Sequence, residues 1–500
     1  MTDLQDWQDK IKQKRKQNSF TDFLRDICSW YPLVLYKQNK LISLYPESDR
    51  SPPVIPHDDF ELSIPSLLDY GIDYDPSISF FDNFQVLLRK VPFSALYNYS
   101  GAENSDFAFS VLNAKNCYLS FTVISDCENI AYSFAVKEGC RNIFNSIQVS
   151  NHSENIYQSS CIIKSYQVFY SRFIENSSDI WFSSNLMWCK ECLFCDDLEN
   201  QSYCIQNIPY EKDEYIKKKR EILSDKKSYE KWYQNINSKW KNLWSTEVKN
   251  GNFVLRSEDV KNGMFSFNLK HAKNTLVVGS PKLNEYMYDV FEAWAHWNSH
   301  FYWALNAWVS SENLYNCEGI VTCYNVFYSR FLENCKYCLW CIWLRNKEYC
   351  ILNKQYSKEE WFTIVDGIFA SMEAEETLGN FFPGYLNPFY FNDTIAEIVG
   401  SFSQSEIEEQ GYLWRDEKIK VDIPEGSDTI STEQLKDNQW YSPNGEWRIN
   451  PDILKKVIKG DNWNYYRIVQ MEYEFLLKHW LPLPEVHWLE RMKNNFWINK

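Results

Sequence analysis

The stretch Cys140-Arg141-Asn142-Ile143-Phe144-Asn145-Ser146-Ile147-Gln148-Val149 places a thiol, an aliphatic, a small hydroxyl and an aliphatic three positions apart. The same four points recur every twelve or thirteen residues on both sides of it. Cys127, Ile130, Ser133, Val136 precede it, and Ser153, Ile156, Ser159, Ile162 follow. The series runs from Ala102, Ser105, Ala108, Val111 through Ser177, Ile180, Ser183, Leu186 to Cys189, Cys192, Cys195, Leu198. Self-similarity at a fixed short period marks a solenoid. A coil of twelve residues is too short to hold an α-helix and return in register. Stacked coils can instead satisfy one another's backbone groups at about 4.8 Å per layer, so eight coils make a rod of roughly 40 Å. Small residues at the first and third points let opposite walls approach, and aliphatics at the second and fourth fill the ends.

The pattern returns later in the chain. Asn298, Phe301, Ala304, Ala307 begin it clearly, then Ser311, Leu314, Cys317, Ile320, then Cys323, Val326, Ser329, Leu332, and finally Cys335, Cys338, Cys341, Leu344. The two series end alike. Cys189, Cys192, Cys195 lead to Tyr203-Cys204-Ile205 at the spacing by which Cys335, Cys338, Cys341 lead to Tyr349-Cys350-Ile351. The expected fold is therefore mainly β: a duplicated short-coil parallel β-helix with α-helical N-terminal, central and C-terminal flanks. The segments expected are a mixed or helical region at 1–95, a first β-solenoid at 96–208 and a helical insert at 209–250. A second β-solenoid at 251–356, a helix-and-loop region at 357–435 and a mainly helical domain at 436–500 complete the chain.

Bulk properties bound the function. Of 500 residues, 52 are Lys or Arg and 67 Asp or Glu, giving a net charge of -15 that makes nucleic acid an unexpected partner. No apolar run reaches the roughly 18 residues that a membrane span requires. Residues Met1 to Lys16 lack the apolar core of a signal peptide, so a cytoplasmic location is expected. The 15 cysteines then read as free thiols. All but Cys28 and Cys161 fall on inward points of the repeat or its continuation, where cysteine behaves as a small hydrophobe.

Three kinds of candidate site emerge. Cys189, Cys192, Cys195, Cys204 and their copies Cys335, Cys338, Cys341, Cys350 have spacings that could hold zinc or an iron–sulfur cluster. Because equivalent points elsewhere carry Ser, Ala, Ile or Val, a packed thiol core is the favoured reading and no cofactor is expected. The second kind is an aromatic column of Tyr118, Phe144, Tyr157, Phe169 and Trp181, which would bind a glycan or protein partner if exposed, or pack beneath a flanking helix of the chain. Beside it runs a column of Asn116, Asn129, Asn142 and Asn155, continued by Gln167, Asp179 and Glu191, suited to stacked amide hydrogen bonds. The third kind is the pair of Arg-x-x-Glu sets, Arg172 with Glu175 and Arg330 with Glu333; β-helices that cleave polysaccharides place paired carboxylates across a groove. His296 and His300 are four apart, but in a region expected to be coil.

Cys335 through Asn353, with Asn353-Lys354-Gln355-Tyr356, Phe381-Phe382-Pro383, Asn387-Pro388-Phe389 and Leu481-Pro482-Leu483-Pro484, resembles an uncharacterised family of cysteine-patterned β-solenoid proteins common in small uncultured bacteria of candidate phyla. The resemblance spans about residues 80–500. It implies a solenoid and no established activity, and an acyl-CoA transferase label attached to some members finds no support in these residues. Relatives with short zinc-binding ends imply none here, because only Cys28 lies near 20–50 and 440–500 has no cysteine. The function expected is a non-catalytic scaffold or binding module. The alternatives are a β-helix carbohydrate-active enzyme and a zinc-dependent nucleic-acid- or ribosome-associated protein. Trp188 and Trp343 stand where the resemblance implies glycine, and the chain has 21 Trp against 15 Gly. The reading that follows is that some UGA codons specify glycine in the source organism. Sequencing of the gene should then find UGA at both positions, and UGG at both would end it.

Overall fold

The computed structural model describes residues 4–15, 17–38, 41–98, 100–236, 273, 277–279, 292–294, 312–315, 317, 319–416, 423, 425–460 and 464–496. The coil expected at Asn298, Phe301, Ala304 and Ala307, together with Ser311, His296 and His300, lies outside these residues. Contacts divide the chain into two units, each built from separated segments: 97–239 with 417–500, and 1–96 with 240–416.

In the first of these units, Phe107–Ala131 winds into a stack of four-residue parallel strands. One ladder runs through Arg141–Phe144, Glu154–Tyr157, Tyr166–Phe169, Ser178–Trp181, Lys190–Leu193 and Ser202–Ile205. The opposite ladder runs through Phe134–Lys137, Ile147–Ser150, Ser160–Ile163, Arg172–Glu175, Ser184–Met187 and Asp196–Glu199. Register follows the repeat: Ile143 pairs with Ile156, Ile156 with Val168, Val168 with Ile180, Ile180 with Cys192 and Cys192 with Cys204. The aliphatic, alanine and cysteine points form one buried cluster between the ladders.

The serine points do more than save space. Ser146 donates its hydroxyl to the Phe144 carbonyl two residues back (2.9 Å) and accepts from the Ser159 backbone N–H of the next coil (3.2 Å). The rung repeats from Ser133 to Ser146 (3.1 Å), Ser159 to Ser171 (3.1 Å), Ser171 to Ser183 (3.1 Å) and Ser183 to Cys195 (2.9 Å). On the facing wall it links Ser153 to Ser165 (3.1 Å), Ser165 to Ser177 (3.2 Å) and Ser177 to Cys189 (3.0 Å). These amides are buried inside the tube, where a donor without an acceptor costs about 1–3 kcal/mol. Cysteine can take the same place, because sulfur also donates and accepts. In the other unit the Cys335 N–H donates to Cys323 Sγ at 3.2 Å.

The three-residue step has a backbone signature. Each inward residue is followed by an outward one and then by a residue at φ near +50°, as at Asn142, Asn145, Gln148 and Asn155. Left-handed backbone costs about 1–2 kcal/mol at a non-glycine residue. Hydrogen bonds between coils oppose that cost, such as Asn145 N–H to Ala131 O (3.0 Å) and Gln158 N–H to Phe144 O (3.0 Å). Thirteen-residue coils add their extra residue as a second left-handed one, in the pairs Ser125-Asp126, Glu138-Gly139 and Asn151-His152. A Cβ on Gly139 would fall 2.3 Å from the His152 ring. Trp188 and Trp343 are left-handed as well, with φ of 52° and 59°.

The flanks pack on the outer faces. The described part of the insert is helical as expected, in Lys212–Leu223 and Tyr229–Gln234. The C-terminal segment is more mixed than expected: Thr429–Ser431, Val457–Lys459 and Tyr465–Tyr466 form a three-stranded sheet beside the helices Gln470–Lys478 and Trp488–Phe496.

In the other unit, Glu312–Tyr315, Tyr324–Phe327, Lys336–Leu339 and Glu348–Ile351 stack at a twelve-residue repeat, with Leu314, Val326, Cys338 and Cys350 in register. Both arrays end in a short antiparallel return, Ile208–Pro209 in one and Lys354–Gln355 in the other. The mixed or helical region expected at the N-terminus begins with Leu4–Arg15 and Phe20–Asp26, the second started by a Ser19–Asp22 capping box. Leu4–Arg15 lies against the long helix Lys358–Ala374, with Trp7 Nε1 donating to Asp366 at 2.8 Å. Among the described residues no helix is long and apolar enough to cross a membrane.

If the rungs hold the coils together, Ser146→Ala should lower stability of the full chain by about 1–3 kcal/mol in urea unfolding. Ser146→Cys should cost clearly less, and equal losses from the two would assign the serine to size alone.

Candidate functional site

The eight cysteines of the two terminal motifs line the tube. Each thiol reaches the carbonyl two residues back: Cys189 to Met187 (3.4 Å), Cys192 to Lys190 (3.7 Å), Cys195 to Leu193 (3.4 Å) and Cys204 to Ser202 (3.5 Å). Their copies do likewise, Cys335 to Glu333 (3.3 Å), Cys338 to Lys336 (3.5 Å), Cys341 to Leu339 (3.4 Å) and Cys350 to Glu348 (3.6 Å). A thiol used as a donor keeps its proton, whereas metal ligation needs the thiolate. Burial pushes Cys338 well above the ordinary thiol range, while hydrogen bonds among the thiols hold Cys192 up and Cys189, Cys195 and Cys335 down, so within each set some thiols serve as donors to others. Among the described residues no group of three or more His, Cys, Asp or Glu side chains is placed to hold a metal ion.

The aromatic column is covered by the chain itself, the second of its two readings, so Tyr118, Phe144, Tyr157, Phe169 and Trp181 do not present an open docking surface. Phe144, Tyr157, Phe169 and Trp181 are buried and Tyr118 is half-buried. Phe475, from the helix Gln470–Lys478, packs on Phe144, Tyr157 and Phe169 with ring centroids 4.6, 6.0 and 6.3 Å apart. Arg491 donates to the Tyr157 hydroxyl (3.1 Å) and pairs with buried Glu472 (2.9 Å). In the other unit Phe369 covers Phe327 in the same way, at 5.3 Å. Apolar ring area that would otherwise face water drives this sheathing.

The Arg-x-x-Glu sets do not form a carboxylate-lined groove. Arg172 lies over the Tyr233 ring at 5.0 Å, Arg330 over Trp30 at 4.3 Å, and Glu333 is 3.0 Å from Arg345. The asparagine column does form its amide ladder, with Asn104 to Asn116 (2.8 Å), Asn116 to Asn129 (2.9 Å), Asn129 to Asn142 (3.0 Å) and Asn142 to Asn155 (3.0 Å). Beyond Gln167 the column turns acidic at Asp179 and Glu191, and there it meets the insert helix.

A recess of about 840 Å³ opens at that meeting point. Ile216, Lys219, Arg220 and Leu223 stand three or four residues apart, so they share one face of Lys212–Leu223 and form one wall. The solenoid adds Trp181 and Glu191. The antiparallel pair Gln439–Tyr441 and Trp447–Ile449 adds Tyr441 and a tight turn with Asn444 and Gly445, the glycine at φ 78°. His479 and Trp480 close it from the end of Gln470–Lys478.

That helix ends in a Schellman motif: Leu481 N–H donates to Leu476 O (2.8 Å) and Trp480 N–H to Leu477 O (3.4 Å). The left-handed position, where glycine is usual, holds Trp480 at φ 57° with 44% of its surface exposed. Lys219 pairs with Glu191 at 2.6 Å. Lys226 donates to the Tyr229 hydroxyl at 2.9 Å, and burial pulls its ammonium down to about 7. His479 is held neutral, pulled to about 4 by burial and by Lys478, and its Nε2 is buried with no hydrogen-bond partner among the described residues. Its ring packs 4.5 Å from Phe475.

Of these residues the sequence singled out only Trp181 and Glu191, through their columns. The face spacing of 216, 219, 220 and 223 was a readable signal for the helix wall, but nothing local joins it to Tyr441 or Trp480. A second recess of about 540 Å³ in the other unit is lined by Arg25, Asp26 and Tyr412, which bond to one another.

With the thiols serving as packed donors, purified protein should carry far less than one zinc or iron per chain by elemental analysis. Native protein should alkylate slowly at thiols and all 15 should react after unfolding, since every one is buried. Stoichiometric metal, lost together with stability on chelation, would overturn the packed-thiol account. No protein-family model, curated protein or solved structure matches this chain.

Proposed function

We propose that the protein is a non-catalytic binding module in which the β-solenoid acts as a rigid scaffold and the aromatic-walled recess receives a small ligand. The observation that carries this reading is Trp480. A bulky residue sits where about 1–2 kcal/mol of backbone strain would be relieved by glycine, and its indole is left half in solvent over the recess. Strain at one residue is a reasonable pointer to function when it displays a side chain that packing does not require. Tyr441 adds further exposed ring surface, the mostly buried Trp181 lines the recess beside it, and Asn444, Arg220, Lys226 and His479 bring polar groups to it. Aromatic walls with a few convergent polar groups are the common composition of small-molecule sites. Glu191 lines the recess, but its pairing with Lys219 occupies it as a counter-ion.

A carbohydrate-active enzyme is the second reading, and Asp179 favours it. Burial and the neighbouring Glu191 charge hold its carboxyl above the usual range, which is how a general acid is poised. A panel of oligosaccharides and ring-bearing metabolites separates the two readings. The binding module predicts ligands that raise the melting temperature and are recovered unchanged, with the shift lost in Trp480→Ala. Cleavage products that depend on Asp179, abolished in Asp179→Asn, would replace it with the enzyme.

A further inference from the structure

We propose that the recess binds a small anion carried on a flat ring, of the size and charge class of a nucleoside monophosphate. The proposal rests on the reading of this recess as a ligand site and adds the chemistry of the ligand. About 840 Å³ is ample for a molecule of that size, since such sites run from about 300 to 1,000 Å³. Tyr441 and Trp480 offer exposed ring surface, their centroids 6.4 Å apart and edge-to-face, and the mostly buried Trp181 lines the recess with them. A flat ring can stack on such surfaces whatever its substituents.

The charge assignment comes from pairing. Of the three cations lining the recess, Lys219 is neutralised by Glu191 at 2.6 Å. Neither Arg220 nor Lys226 has a carboxylate partner among the described residues. Lys226 is the more telling, because its ammonium is half-buried against the rings of Tyr229 (4.9 Å) and Trp447 (5.4 Å). An ammonium withdrawn from water with only a phenol oxygen to receive its hydrogens lacks the anion that would stabilise its charge. Arg220 stands on the helix wall and can add a bidentate contact to phosphate. His479, whose Nε2 is buried with no hydrogen-bond partner among the described residues, lines the same recess.

Lys226 contacts Tyr229 and the Trp447 ring, and the titratable groups that line the recess with it are Arg220, the Lys219–Glu191 pair, Tyr441 and His479. Lys226 is therefore the group whose charge the ligand changes. An anion beside it raises its pKa, so binding at alkaline pH takes up a proton. The sign follows: above the second phosphate ionisation at about 6, affinity falls as pH rises through the free value of about 7, until the higher value of the complex is reached.

Calorimetry on the full chain tests this with AMP, GMP, CMP and UMP, with adenosine, and with inorganic phosphate. At least one nucleotide should bind, roughly tenfold or more tighter than adenosine and than phosphate alone. Arg220→Ala and Lys226→Met should each weaken it by about tenfold or more. Titration at pH 8 in buffers of different ionisation enthalpy should report proton uptake in the parent and none in Lys226→Met. Arg220 is exposed on a helix surface, so its variant remains informative if Lys226→Met does not fold. Adenosine binding as tightly as the nucleotides would overturn the anion assignment and leave the binding module standing. Failure of all four nucleotides while a neutral sugar binds would also overturn it. Failure of every probe, neutral sugars included, would remove both.

Discussion

One hydrogen bond, repeated, makes this architecture possible: a backbone N–H inside the tube donates to the hydroxyl or thiol of the coil below. A coil of twelve residues has no room for a conventional core. Its backbone comes so close to its own axis that inward amides cannot all reach a neighbouring carbonyl. Ser146, at once donor to Phe144 and acceptor from Ser159, settles both needs with a side chain of two heavy atoms. Alanine is small enough and cannot accept; valine neither fits nor accepts. The alternation of serine or cysteine with aliphatics is thus a hydrogen-bonding code as much as a packing code, and cysteines such as Cys195, Cys323 and Cys335 stand at the same points as the rung serines.

That constraint propagates outward. Left-handed backbone at every third residue gives the coil its corners, and asparagine, which tolerates that conformation, stacks its amides along one of them. Strands of four residues expose flat aromatic columns that water would solvate poorly. Each array is therefore sheathed by a helix from much later in sequence than its column, Phe475 on the first and Phe369 on the second. The recess is a by-product of this sheathing: it forms where the insert helix, the hairpin around Tyr441 and the end of the helix before Trp480 meet at the acidic end of the ladder.

The inward set and its register were legible because they follow from a period; Cys204 above Cys192 could be placed by counting. The amide ladder was legible for the same reason. The acceptor role of serine was not, since size and hydrogen bonding predict the same residue at those points. The thirteenth residue of the longer coils was equally hidden, as its left-handed partner can be serine, glutamate or asparagine. Contacts such as Arg491 to Tyr157, 334 residues apart, have no periodic signal, so neither the cover over the aromatic column nor the recess could be read locally.

Hydrogen exchange followed by mass spectrometry on the native chain tests the central claim most directly. In peptides covering 140–200, the inward amides of Ser146, Ser159, Ser171 and Ser183 should be protected as long as the strand amides around them, because each is bonded to the coil below. Rapid exchange at those serines within otherwise protected strands would show that their amides are not held by the rungs, and the account of the tube would fail.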